Sequence, residues 1–401
     1  MLYASAAIGP LGGLSVLTFA PTLQRELGAD LGAVLQSITV FMVPFTIGQL
    51  FSGALSDVIP RRTTFRIGMA LTAAASVGVA LAWDVPSFLT FRMFQGVGYA
   101  FVSPVVVALL GDLTTDQNRG NAMGLMGAAV TGGIATGPLL GGWLDSFGLW
   151  RVMFVYMAAH SLVCLVLFGI AFRHHPQPVP QGDGLDTIAE LFGRLARLAA
   201  RPPMQALSVA GFCAFVGFIA LIAFLPDHLT ALGHTPLEVG AVLSVAGLVG
   251  IPASVMGGRA VSRIGRRPVA LAGFVGAALT EFCLTLALPY HLPLWAYAAA
   301  VGGVGLSVAM LWAATLTLSV EVDPQARGTT SSIFQFSRFL GFSLTPLLLQ
   351  HPYQTQGLGA VLAVATGMLF VGAAAIILLR HVGAPMASRS RSLAASEVGP
   401  G

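Results

Sequence analysis

Long apolar runs, broken at short intervals by arginine, proline or glycine, make up most of this 401-residue chain. A helix rising about 1.5 Å per residue needs about 20 mostly apolar residues to cross a hydrocarbon layer about 30 Å thick. That ruler predicts twelve spans, near 3–22, 33–55, 64–82, 86–110, 121–143, 150–172, 206–228, 237–257, 268–289, 293–319, 329–350 and 358–380. One polar interruption is longer than the others. It runs from Arg173 to Pro203, opens with His174, His175 and several prolines, and continues as Leu185–Ala200. There Leu, Ile and Phe recur at helical spacing around Arg194 and Arg197, which predicts an amphipathic helix lying at the membrane interface.

The chain therefore divides into a six-span bundle at 1–172, a linker at 173–203, a second six-span bundle at 204–381, and a polar Ser/Arg-rich tail at 382–401 that is expected to be disordered. The first 20 residues lack a positive leading segment and Pro21 follows them, so the chain is expected to enter its first span directly, without a cleaved leader.

Composition excludes a water-soluble fold. Hydrophobic residues make up 56% of the chain and charged residues 9%, whereas a typical globular protein is about 25% charged. The fold class expected is an all-α membrane protein with twelve transmembrane helices in two pseudo-symmetric six-helix bundles. All 20 basic residues are arginine, which removes lysine-dependent phosphate loops and Schiff bases. The net charge of +4 is dispersed over short loops rather than gathered into a patch, so nucleic acid is not an expected partner. Cys164, Cys213 and Cys283 lie inside apolar runs and read as small buried residues. The His174–His175 pair lacks further ligands at metal spacing.

Sixteen of the 20 arginines fall after spans 2, 4, 6, 8 and 10 or in the C-terminal tail, and the opposite loops hold only Arg25 and Arg151. Positive loops stay in the cytoplasm, so both termini are expected there. The halves also repeat. FAPTLQRELG around Pro21 matches FLPDHLTALG around Pro226, and GALSDVIPRR from Gly53 matches GRAVSRIGRR from Gly258, both at an offset of 205. Gln95–Gly98 aligns with Gly302–Gly305 at 207, and Pro138 with Pro346 at 208. Parallel six-span repeats suit a pair of bundles rocking about a site at the midplane.

Three strings carry chemistry. After span 2 come Gly53, Asp57, Arg61 and Arg62, with Gly258, Arg263, Arg266 and Arg267 in the second copy, where Ser262 replaces the acid. Asp57 at a helix end can meet the positive N-terminus of a neighbouring helix; the alternative is a plain positive loop with a capping aspartate. Span 4 holds Arg92, Gln95 and Tyr99, and span 5 holds Gly133, Gly137, Pro138, Gly141 and Gly142. Small residues allow tight helix packing, and Pro138 removes one backbone hydrogen bond.

These strings resemble the major facilitator superfamily, and within it the twelve-helix drug:proton antiporters. The likeness covers about residues 3–381. It departs at Val58 and Pro60 in the loop signature, and span 1 lacks the acidic residue that many of these antiporters place there. The resemblance implies a cytoplasmic latch between Asp57 and the helix starting near Thr329. It assigns the span 5 string to exporters that exchange substrate for protons. It also implies a central wall drawn from Gln36, Gln49, Arg92, Gln95, Tyr99, Phe215, Phe218, Tyr297, Trp312, Gln335 and Arg338.

Charged groups inside spans default to function. For substrate contact or proton coupling the candidates are Arg92, Gln95, Tyr99, Glu281, Gln335, Arg338 and Asp227, with His228 beside Asp227 as a further titratable group; His160 reads as a hydrogen-bonded structural residue. Two buried arginines against one buried acid, Glu281, hint at an anionic substrate. The expected function is proton-coupled export of a small organic molecule from the inner membrane by a monomer. No cofactor is expected, and the proton gradient supplies the energy. The alternatives are a proton symporter importing a sugar, amino acid or organic anion, and a non-transporting membrane sensor. An enzyme is not expected, because no nucleophile–base pair or metal cluster is visible.

Overall fold

A computed structural model describes residues 1–58, 60–114, 116–173, 184–323 and 326–379, with side chains described except at 52–58, 111–112, 116–121, 123–124 and 184–191. His174, His175 and the tail after His381 lie outside the described residues. Among the described residues, twelve helices are long and apolar enough to cross a membrane. We label them spans 1 to 12: Leu2–Leu27, Leu31–Val58, Arg61–Ala80, Val85–Leu113, Asp116–Asp145, Trp150–Ala171, Pro202–Ala231, Pro236–Ile264, Arg266–Ala287, Leu294–Glu321, Arg327–Gln356 and Leu358–Leu378.

Several helices overrun the spans predicted from apolar length, because a helix continues into polar turns that hydropathy does not count. Span 1 runs to Leu27 and stops where Gly28 turns left-handed at φ 69°. Its middle tightens into a 3₁₀ turn at Val16–Phe19. Pro21, which has no N–H to bond back to Leu17, follows that turn.

The two bundles are built alike. Spans 3 and 4, 2 and 4, 1 and 5, and 3 and 6 pack together in the first half, as do 9 and 10, 8 and 10, 7 and 11, and 9 and 12 in the second. Individual contacts repeat as well. A side chain at Gly133 would strike the Ala7 carbonyl, and one at Gly341 the Phe212 carbonyl. Gly96 lies on Phe41 and Gly305 on Ala246; Gly68 lies on the Gly98 carbonyl and Gly273 on the Ser307 carbonyl. These contacts correct the repeat register. Spans 4 and 10 superpose at 209, not at the 207 suggested by the matching Gly-Val-Gly letters.

Two seams join the halves, and their contacts lie toward the arginine-poor end. Along spans 2 and 11, Gly32 faces Gln350 and the Thr39 hydroxyl donates to the Ser343 carbonyl at 2.8 Å. The Thr46 and Ser343 hydroxyls lie 3.0 Å apart. Along spans 5 and 8, Gly142 meets Pro236, Gly240 meets the Pro138 carbonyl, and Gly247 meets Ala135. At that same end Arg151 donates to the carbonyls of Ala80 and Ala82 and pairs with Glu26, tying spans 1, 3 and 6 together.

The linker helix, Gly184–Ala199, is amphipathic as expected. Leu195 and Leu198 are buried, Arg194 and Arg197 are exposed, and Phe192 meets Phe51 of span 2 edge-on. It packs against spans 2 and 11, one from each half.

Candidate functional site

Arg92 is fully enclosed by its own bundle, with 0% exposure. Its Nη1 donates to the Gly12 carbonyl at 3.3 Å and to Gln95 Oε1 at 2.9 Å. Gln95 in turn donates from Nε2 to the Ser76 hydroxyl at 2.8 Å, so one polar chain stitches spans 1, 4 and 3. The guanidinium carbon lies 4.7 Å from the Phe41 ring centroid. Tyr99, one turn beyond Gln95, donates its hydroxyl to the Ala6 carbonyl at 2.6 Å and packs on Phe45.

Arg338, on span 11, sits in a different setting. It is 5% exposed, and three rings surround its guanidinium carbon: Trp312 at 4.4 Å, Phe215 at 4.6 Å and Phe339 at 4.7 Å. Nε and Nη1 have no hydrogen-bond partner among the described residues. The Trp312 indole N–H and the Gln335 amide oxygen are likewise buried without one. Phe215 also packs on Phe218 and Phe342, so spans 7, 10 and 11 supply a continuous aromatic face.

Of the other wall residues, Gln36 is exposed and Gln49 half-buried on span 2. Tyr297 is buried away from this cluster, beside His228 at 3.3 Å. Asp227 accepts a hydrogen bond from the Tyr353 hydroxyl at 2.7 Å, which ties span 7 to span 11.

Glu281 is 0% exposed, and neither carboxyl oxygen has a hydrogen-bond partner. It faces the interior of the second bundle rather than snorkelling to an interface. His160 bonds to the Ala4 carbonyl at 3.1 Å, in keeping with a structural part. Cys164 and Cys213 are buried, but Cys283 is exposed on the outer face of span 9, which corrects the expectation for it. An apolar neighbourhood in sequence does not distinguish a core face from a lipid face.

The span 5 string packs on two sides. Gly133, Gly137 and Gly141 recur one turn apart, and side chains there would lie 2.3–2.5 Å from atoms of span 1. Gly142 and the Pro138 carbonyl instead face span 8, across the seam. At Gly133, Gly137 and Gly142 the atoms in the way are backbone carbonyls, so only hydrogen fits; at Gly141 the nearest is the Thr18 hydroxyl.

In the loop copies, the Gly53 and Asp57 side-chain positions lie outside the described residues. Arg62 donates to the Phe172 carbonyl at 3.2 Å and lies over that ring, capping span 6. Arg61 is half-buried. In the second copy Arg263 is exposed, and Ser262 bonds to carbonyls of its own helix. Arg266 finds its acid in Glu321, at the end of span 10. A side chain at Gly258 would meet open space; the close approach belongs to Gly257, whose missing Cβ would lie 3.0 Å from Met310. Arg267 leaves Nε and Nη2 unpartnered.

The Major Facilitator Superfamily profile matches residues 2–346. An uncharacterized MFS-type transporter, YceJ, of Bacillus subtilis is 24% identical over 88% of this chain and 88% of its own length. The multidrug transporter protein MdtP of the same organism is 25% identical over 85% of this chain and 69% of its own. The partially occluded, inward-open structure of the xylose transporter XylE from E. coli superposes with a TM-score of 0.75 at 15% identity, covering 95% of this chain and 96% of that one. With a profile that spans both bundles and a shared architecture, the chain belongs to the Major Facilitator Superfamily and is a multi-pass membrane transporter, not an enzyme.

Proposed function

We propose that the chain exports a small organic molecule in exchange for protons, by alternating access, across the inner membrane with both termini in the cytoplasm. The observation that carries this reading is the two-sided packing of the span 5 string. Three glycines anchor it to span 1, while Gly142 and Pro138 form the seam with span 8 that must part when the bundles rock. The name of the multidrug relative MdtP supports a small organic molecule as the substrate. The exporter works as a monomer in the bilayer and carries no bound cofactor, and the proton gradient drives it.

Expression in a cell with its own efflux pumps deleted tests this reading. Accumulation of at least some members of a compound panel should fall, and a protonophore should restore it. A proton-dependent rise in accumulation would replace this reading with an importer. No flux of any compound, from protein correctly inserted, would leave a membrane sensor.

A further inference from the structure

A buried guanidinium needs acceptors for its N–H groups, because stripping water from a charge is costly unless other polar atoms replace it. Arg92 has two such acceptors, both at Nη1, and leaves Nε and Nη2 unpartnered in a site with no exposed surface. Arg338 has no acceptor and no ion pair among the described residues, and its Nε and Nη1 are buried without a partner. Three aromatic rings attract the cation through their faces, yet a ring face does not satisfy an N–H that points along the guanidinium plane. The Trp312 indole N–H, on a ring in contact with the same guanidinium, is also unpartnered.

Unmet donors of Arg338 and Trp312 therefore lie side by side, next to rings that are only half-buried. Phe215 and Trp312 come from spans 7 and 10, and Phe339 touches Phe45 of the opposite bundle. The group that fits is an acceptor of negative charge attached to a flat apolar body.

We infer that the Arg338–Trp312 cluster is a binding site for an aromatic or amphiphilic organic oxyanion, held by Arg338 and the indole N–H with its apolar body on Phe215 and Phe339. This assigns a substrate class to the exporter proposed above and rests on that reading for its place in transport, but not for binding itself. A guanidinium recognises a carboxylate, a sulfonate or a phosphate through the same N–H donors. Gln335, one turn earlier, offers its amide oxygen to a hydroxyl on the same molecule.

Binding of three near-isosteric probes to the full-length protein in detergent tests the site by calorimetry: 2-naphthoate, neutral 2-naphthamide and cationic 2-naphthylmethylammonium. Naphthoate should bind at least about tenfold tighter than either of the others. Arg338→Met should erase that preference, Arg338→Lys should recover part of it, and Trp312→Phe should weaken naphthoate alone. Equal affinity for the three probes on the unmodified protein would overturn the inference without recourse to any variant. So would an unchanged preference in folded Arg338→Met. Binding equilibria need no gradient, so naphthoate binding without protonophore-sensitive efflux would sink the export reading and leave the site standing.

Discussion

Phe45 of span 2 and Phe339 of span 11 meet edge to face with ring centroids 4.8 Å apart, and the contact passes from one bundle to the other. It is the middle of a run of groups from Arg92 through Phe41, Tyr99 and Phe45 to Phe339 and Arg338. The internal repeat places Gly250 and Thr131 at the matching point of the other seam, where a methyl group is all that fills the gap. Midway along the helices the two seams thus differ, with an aromatic lock on one side and small residues on the other.

A double-mutant cycle of Phe45→Leu and Phe339→Leu measures that lock. The coupling should be about 0.5–1.5 kcal/mol in favour of the closed arrangement, read from the distance distribution between spin labels placed across the seam. Additive effects would mean that the rings are neighbours without being partners.

Gly142 and Gly258 belong to two family strings but occupy opposite surroundings. A Cβ at Gly142 would lie 2.2 Å from the Pro236 carbonyl oxygen, whereas one at Gly258 meets nothing within 4 Å. Gly142→Ala should cut efflux about tenfold or more by holding the seam apart. Gly258→Ala should change it less than about twofold. Equal tolerance at both positions would refute the seam assignment.

The two buried arginines should respond in opposite ways to truncation. Arg92→Ala takes a donor from the Gly12 carbonyl and orphans the Gln95 amide oxygen and should destabilise the protein by about 1–3 kcal/mol in thermal unfolding. Arg338→Met removes a charge that has no acceptor among the described residues, and should melt at or above the unaltered protein. A drop as large as that for Arg92→Ala would assign Arg338 to structure.

Glu281→Gln keeps shape and removes the exchangeable charge. If this carboxyl carries the coupled proton, efflux from the variant should lose its dependence on external pH while naphthoate affinity stays within about twofold. A pH profile that matches the unaltered protein would leave Glu281 as a packing residue.

Asp84 caps span 4 outside the membrane. Its carboxylate accepts from the Ser87 N–H, while the Ser87 hydroxyl engages the Asp84 backbone. The Ser87 side chain first, and then its backbone N–H, favour the charged form and hold the carboxyl below the ordinary 3.8. With a folded value below the unfolded one, the stabilisation is present above about pH 4 and is lost as pH falls further. Asp84→Ala should therefore lower the melting temperature at pH 7 and make little difference near pH 3. An equal effect at both values would separate the cap from its charge.

Much of this molecule is legible in the order of its residues. Twelve apolar stretches of spanning length and a near-constant repeat offset are one-dimensional signals, and the helices follow them. What the letters hide depends on facing. Cys283 and Cys164 sit in equally apolar runs, yet only one turns inward. The Gly-Val-Gly match drew the eye two residues from the register that packing adopts at Gly96 and Gly305. Glu321, which completes the Arg266 pair, lies 55 positions away in the chain. The ring cage around Arg338 is assembled from spans 7, 10 and 11, and no local spacing announces it.

The halves are copies in architecture but not in content, and they cannot stand in for one another. Arg92 corresponds to Val301 and Arg338 to Val130, so neither cation has a twin. A protein rebuilt by joining two first halves would retain hinge surfaces of the right outline and would lack the three-ring cage of Arg338. One made from two second halves would lose the polar stitch through Gln95 and Ser76. The two halves share one frame, and with the site inferred above the first holds scaffold contacts where the second holds the ligand.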